Sequence, residues 1–459
     1  DELPLNINGK TDLIKLRAYP LTSVEVPSKF PGKAPDQTNL TETQTAVATI
    51  WKDLLKLSDI RLNHHFFEVG GQSIQAIKML ALVNERFGRQ IKLSAFRKNP
   101  TVEALSTLID ATKGAGNEVF LEEMGEGEVS ATPAQRSLWF LSRLGLDASY
   151  YITEFWKVSW ELDKPALLRA IALLVSRHDS LRATFMEKEG VPYMKVGDET
   201  APFIKDIDQP LTVDEYPAAK AAFATAPFDL ENGPLIRFVV INLGDEYEIG
   251  IAVHHIVFDG WSLDVLVKDL LNCYEYAMTG EKGHALKAPA QFRSFCAWQH
   301  QYEQSVAFAE HLDFWKGQLQ DSEKLSLETD FKKQHNAQVT GSLERLSLTE
   351  QQTDLLQRLS KRWQTTPFSL FLTLVYALLH RYSRRSDICV GVPVANRSAY
   401  EHQEVIGYFV NSIALRINPS EEVNTFEDLV QWVSQTLTTA QEHEQVPIEA
   451  VITARGGNR

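Results

Sequence analysis

The sequence is poor in cysteine, has no long apolar run and carries no excess of positive charge. Cys273, Cys296 and Cys389 are its only cysteines in 459 residues, scattered and without a CxxC pair. That excludes a disulfide scaffold and a cysteine-rich zinc site, and makes a reducing, cytoplasmic setting the expectation. No apolar stretch nears the roughly 20 residues of a membrane helix. The chain opens on Asp1 rather than Met, and no signal peptide follows. Lys and Arg number 46 against 60 Asp and Glu, a net charge of −14, so the clustered basic surface that grips nucleic acid is not expected. Neither an internal repeat nor a low-complexity tract is visible.

What is present is an ordinary globular composition. Hydrophobic residues make up 44% and charged residues 23%, enough to bury sizeable cores, and the length suggests about three domains. The first forty residues do not form one of them. Pro4, Pro20, Pro27, Pro31 and Pro35 recur among polar residues and read as an extended linker. A helical block follows. Thr41 and Gln44 have capping-box spacing, and Val47, Ile50, Trp51 and Leu54 share one helical face. A second helix is expected from Ser73 to Phe87, stopping at Gly88, and a third from Thr101 to Ala111 after Asn99-Pro100. Gly114, Gly116, Gly125 and Gly127 mark a second linker. Beyond Ser130, helical stretches (165–177, 262–278, 367–382, 426–440) alternate with strand-like runs (151–160, 235–242, 247–255, 388–394, 412–417), a mixed α/β region that reads as two lobes.

Two short strings stand out. In the first, Gly70-Gly71-Gln72-Ser73 makes a tight turn into a helix, with Ser73 at its N-terminus. Such a serine serves as a plain helix cap. A phosphate attached to it would also be favoured by the free N–H groups and the helix dipole. In the second, Val253-His254-His255-Ile256-Val257-Phe258-Asp259-Gly260-Trp261-Ser262 joins a strand to a helix. Neighbours on a strand point to opposite faces, so only one of His254 and His255 is a candidate for chemistry. One face then offers a single metal ligand, which argues against zinc. The other pair, His64-His65, receives no chemical role.

These strings carry a resemblance. Residues 37–112, with Ser73 in place, resemble a peptidyl carrier domain of nonribosomal peptide synthetases, although the family often has His or Asp where this chain has Gln72. Pro4-Leu5-Asn6-Ile7-Asn8-Gly9-Lys10 resembles the last motif of an adenylation domain whose remainder is absent, so Lys10 is expected to have no active site and no adenylating role. Residues 130–459 resemble a condensation domain. His254-His255-Ile256-Val257-Phe258-Asp259-Gly260 matches its signature. Thr132 to Trp139, Arg177 to Phe185, Phe292 to Gln299 (loosely), Gly391 to Arg397 with Ile406 to Asn411, and His443 to Glu449 match its other motifs in order.

The resemblance implies a division into 1–36 (adenylation tail and linker), 37–112 (all-α helical-bundle carrier), 113–128 (linker), 129–305 (condensation N-lobe) and 306–459 (C-lobe). The last two would be α/β lobes like chloramphenicol acetyltransferase, meeting in a V with a tunnel between them, the second incomplete because the seventh motif is missing. It implies 4′-phosphopantetheine covalently on Ser73, an upstream adenylation domain that loads it, a phosphopantetheinyl transferase that installs it, and a downstream acceptor carrier. The reaction would be aminolysis of a donor thioester, an amide-forming acyl transfer in the making of a peptide such as an antibiotic or siderophore. Metal, nucleic acid and membrane have no part in it, and a monomer is expected.

His255 matches the family's second histidine, and a neutral imidazole suits removal of a proton from the attacking amine. The N–H of Gly260 would stabilise the oxyanion. His254 is expected to be structural and Trp261 a core residue. Asp259 reads as an anchor that needs a buried partner, with Arg182 the first choice and Arg177 the second. Epimerisation of a carrier-bound residue and a non-catalytic docking module are the alternatives. The fifth motif argues against epimerisation, whose domains share the His-His-Asp-Gly string; that intact string argues against the docking module, and the missing seventh motif argues for it.

Overall fold

The computed structural model describes residues 40–71, 73–112, 127–197, 202–212, 215–244, 246–279, 286, 288–327, 344–397, 399 and 401–456. The stretch 1–36 with Lys10, Gln72 and most of the second linker lie outside them. The described residues of Leu121–His300 and Glu404–Tyr408 gather into one compact unit, and those of Thr41–Phe120, Gln301–Gln403 and Phe409–Arg459 into another.

The second unit begins with helices α1 (Glu42–Leu55), α2 (Ser73–Phe87), α3 (Leu93–Lys98) and α4 (Val102–Ala111). The capping box forms as its spacing predicts: the Thr41 hydroxyl accepts from Gln44 N–H, and the Gln44 side chain accepts from Thr41 N–H. Trp51 and Phe66 are fully buried, their rings edge to face at 4.8 Å, and Phe96 of α3 completes the aromatic core. The sequence does not announce α3, because six residues are too few to show a period. The turn before α2 needs its glycines. Gly70 has φ +105°, and a β-carbon on Gly71 would strike the Phe66 ring and carbonyl.

The first unit is built on β-sheet. Its elements are β1 (Glu128–Ser130), α5 (Pro133–Arg143), β2 (Tyr151–Val158), α6 (Lys164–Arg177), β3 (Ala183–Lys188), β4 (Val191–Val196), β5 (Phe203–Ile207), α7 (Glu215–Thr225), β6 (Ile236–Asn242), β7 (Tyr247–His254), α8 (Gly260–Thr279) and α9 (Phe292–Tyr302). β1 opens within the stretch expected to be linker. One sheet has the order β2-β7-β6-β5, with only β5 and β6 parallel, and β1-β4-β3 make a second. β6 and β7 are apolar on both faces because both faces are buried, so neither shows a clean alternation. α6 packs along α8.

The rest of the second unit comprises α10 (Val306–Leu319), α11 (Glu350–Arg362), α12 (Pro367–Ser383), β8 (Ile388–Val394), β9 (Asn411–Ile417), α13 (Phe426–Gln441) and α14 (Ile448–Ala454), with β8 and β9 antiparallel over a core of Trp315, Tyr376, Ile413, Leu415, Val433 and Leu437. Glu444 is buried beside it, and that burial pushes its carboxyl up to about 7. The carrier helices touch this part through α3. Arg97 Nη1 donates to Thr438 Oγ1 at 2.6 Å, and Ser94 bonds to Glu442. Burial lowers the Arg97 guanidinium to about 10.

Candidate active site

The strand β7 ends at His254, and His255 opens the 3-10 turn His255–Val257. Strand alternation therefore is not what separates the two histidines; their roles part where the strand stops. His254 is fully buried, packed against the Tyr151 and Phe228 rings, and its Nδ1 accepts the Ile256 N–H at 3.0 Å. It caps the turn that carries His255. The same turn is gripped from α5, where the buried Gln135 donates through Nε2 to the Ile256 carbonyl at 2.9 Å. His255 is half-buried and meets Tyr408 edge to face, ring centroids 5.0 Å apart.

Asp259 is fully buried, and one oxygen of its carboxylate is bound locally. Oδ1 accepts the Ser262 N–H and the Ser262 hydroxyl, each at 2.8 Å. This is a helix cap: a short acceptor at the entry of α8 takes up one of the N–H groups that have no intrahelical partner. The expected pairing with Arg182 is not formed. Arg182 is drawn to β4, where Nη1 donates to the Gly197 carbonyl at 2.5 Å. Arg177, the second choice, donates to Asp269 from Nε at 2.9 Å and from Nη2 at 3.3 Å. Burial alone would raise Asp269, but the hydrogen bonds from His178 and Arg177 hold it below the usual carboxylate range.

Gly260 opens α8 and is exposed, and a β-carbon there would meet only open space. Its N–H belongs to the first turn, whose donors lack intrahelical acceptors.

The segment Ile406-Gly407-Tyr408 is pinned into this unit from three sides. Ser180 Oγ donates to the Ile406 carbonyl at 2.7 Å. Gly407 N–H donates to Ser262 Oγ at 3.0 Å, and its carbonyl lies 2.9 Å from that hydroxyl. Ser262 has one proton to give, to Asp259 or to Gly407, while it accepts from Gly407. Phe292 closes the third side. Its own N–H donates to Asp179 Oδ1, which caps α9. Gln135, Ser180, Ser262 and Tyr408 lie inside the motif strings, yet the sequence alone gives them no role. Ser262 is within its reach, since Asp259-x-x-Ser262 has the spacing of a cap.

Ser73 is the first residue of α2, a fifteen-residue helix behind the Gly70-Gly71 turn. A helix start of this kind presents N–H groups to an anion, which fits a phosphodiester. A cleft of about 440 Å³ in the second unit, lined by Trp315, Arg416, Trp432 and Thr436 among others, holds none of the candidate residues. Among the described residues no three His, Cys, Asp or Glu side chains gather as a metal site, and no helix is long and apolar enough to cross a membrane.

Comparison with known proteins places these features. The family described as condensation domain matches residues 125–456, and the family described as phosphopantetheine attachment site matches 45–109. A linear gramicidin synthase subunit of Brevibacillus parabrevis is 32% identical over 98% of this chain, and the bassianolide nonribosomal cyclodepsipeptide synthetase of Beauveria bassiana is likewise 32% identical over 98%. The chain spans only 6% and 14% of their respective lengths. Among solved structures, the first condensation domain of the calcium-dependent antibiotic synthetase, in complex with a substrate analogue, superposes with a TM-score of 0.61 at 23% identity, covering 72% of this chain and 79% of its own.

Proposed function

Since the chain belongs to the condensation-domain family and carries a phosphopantetheine attachment domain ahead of it, we propose that it joins carrier-bound building blocks through a peptide bond in nonribosomal peptide synthesis. One observation supports this most directly. Of the three polar side chains in the signature, His254 and Asp259 are engaged with backbone and with Ser262, and His255 alone is half-buried at the end of β7.

In this reading the α-amine of an acceptor attacks the carbonyl carbon of a donor thioester. The C–N bond forms, the C–S bond breaks, the sulfur leaves as a thiol, and the amine loses one proton. His255 meets the amine, keeping it neutral and oriented and taking its proton. The Gly260 N–H faces the developing oxyanion. His254 and Asp259 hold the turn and the helix start. Arg182 braces β4.

4′-Phosphopantetheine supplies a thiol on which acyl groups travel as thioesters. Ser73 is the residue proposed to bear it, after the action of a phosphopantetheinyl transferase. An upstream adenylation domain loads the donor, and the acceptor arrives on a downstream carrier. A monomer in a reducing, cytoplasmic compartment suits this chemistry.

Intact mass after incubation with coenzyme A and a phosphopantetheinyl transferase tests the carrier. A single phosphopantetheine adduct, absent in Ser73→Ala, is expected. No adduct on folded protein would leave Ser73 a helix cap and favour the docking module. Product with a tethered acceptor then separates condensation from epimerisation, which needs no acceptor.

A further inference from the structure

His255 is held in place by packing. Its Nδ1 is buried, and among the described residues none forms a hydrogen bond with it. Histidines that act as bases are usually oriented by a partner on the second nitrogen, which fixes both the tautomer and the ring plane. Here no carboxylate or carbonyl among the described residues does so, and the ring plane must be set another way.

The neighbour suited to set it is Tyr408. Its ring meets the imidazole at 5.0 Å with 70° between the planes, the edge-to-face arrangement that aromatic pairs prefer. Tyr408 is itself half-buried, as His255 is. It can act as a fixed wall because the backbone before it cannot shift. Ser180 holds Ile406, Ser262 accepts the Gly407 N–H, and Phe292 leaves Gly407 no room. Ser262 also binds Asp259, so one hydroxyl ties the signature loop to the segment that delivers Tyr408.

We propose that Tyr408 is the positioning residue of His255: its ring edge sets the plane of the imidazole toward the acceptor amine, while Ser180, Ser262 and Phe292 fix its place. The inference rests on the reading of His255 as the group that meets the amine. It assigns the work to the ring, so the phenol hydroxyl is dispensable.

The test compares Tyr408→Phe, Tyr408→Ala and Tyr408→Leu in the full chain, loaded on Ser73 and assayed against a loaded acceptor carrier. Leucine fills the volume without an aromatic edge and serves where alanine weakens the fold. We expect Ala and Leu to lower kcat by on the order of ten- to a hundredfold, as misplaced reacting groups do, with the acceptor KM and the Ser73 adduct unchanged. Phe should restore the rate. Nitrogen-15 spectra of the His255 ring, assigned with His255→Gln, should shift in Ala and Leu and not in Phe. Wild-type turnover with an unmoved His255 signal in Leu would overturn the proposal. So would a Phe variant as slow as Leu, since that would assign the work to the hydroxyl. If His255→Ala itself keeps full turnover, the reading of His255 fails, yet the ring spectra still decide whether Tyr408 positions it.

Discussion

Gly407 packs against the ring of Phe292, so close that a β-carbon on the glycine would fall inside the ring's van der Waals shell. The contact joins the start of α9 to the Ile406-Gly407-Tyr408 segment. Gly407→Ala is therefore expected to destabilise the protein by about 1–3 kcal/mol, the usual cost of overpacking a full site, and to slow peptide formation with it. Thermal unfolding would show the loss, and adding Phe292→Leu should recover part of it. An unchanged melting temperature in Gly407→Ala would mean that the contact is looser than the structure shows.

The Ser262 hydroxyl can donate to a buried carboxylate while it accepts a buried backbone N–H. Ser262→Ala leaves Asp259 with one donor fewer, at a cost of about 1–3 kcal/mol. A lower urea midpoint with an unchanged slope is the expected result. An unchanged midpoint would show that other donors satisfy Asp259.

Under the proposed chemistry, His255→Ala should leave Ser73 loading intact and strongly reduce peptide formation in single-turnover assays. Arg182→Ala should spare turnover, because Arg182 binds the Gly197 carbonyl and not Asp259. Equal losses in the two variants would mean that the first unit is merely unstable.

Glu444 gives a pH dependence with a definite sign. Its ordinary value is 4.5, and burial raises it to about 7 in the fold. Below the lower value it is neutral in both states and nothing is lost. As pH rises between the two, the unfolded chain ionises first, so stability falls, by about 3 kcal/mol once the upper value is passed. Glu444→Gln should therefore unfold at a higher temperature than the wild type at pH 8 and at nearly the same temperature at pH 4. A constant difference at both would remove Glu444 as the source.

Much of this is legible in the sequence. The Thr41–Gln44 capping box and the span Ser73–Phe87 follow from local spacing alone, and the structure shows both. The sequence parts His254 from His255 by strand alternation, but the strand ends between them and the turn that follows is what separates them. For Asp259 the sequence points first to Arg182, which lies instead on the Gly197 carbonyl, and passes over Ser262 three positions on, which binds Oδ1. Tyr408 is out of reach. Ser262 and Gly407 are 145 positions apart, and no local pattern predicts their bond or what it brings to His255.

Arg97 bears on how long the carrier helices rest where they are. Across the α3–α13 contact, Arg97 meets Thr438 and Glu442 meets Ser94, so in each bond a charged group faces a hydroxyl. Burial also takes water from the guanidinium, which lowers its value. A neutral oxygen returns only part of what such desolvation costs. The Thr438 bond by itself therefore holds this contact only weakly. For a block proposed to shuttle a thioester between stations, a weak mooring of this kind favours a short dwell.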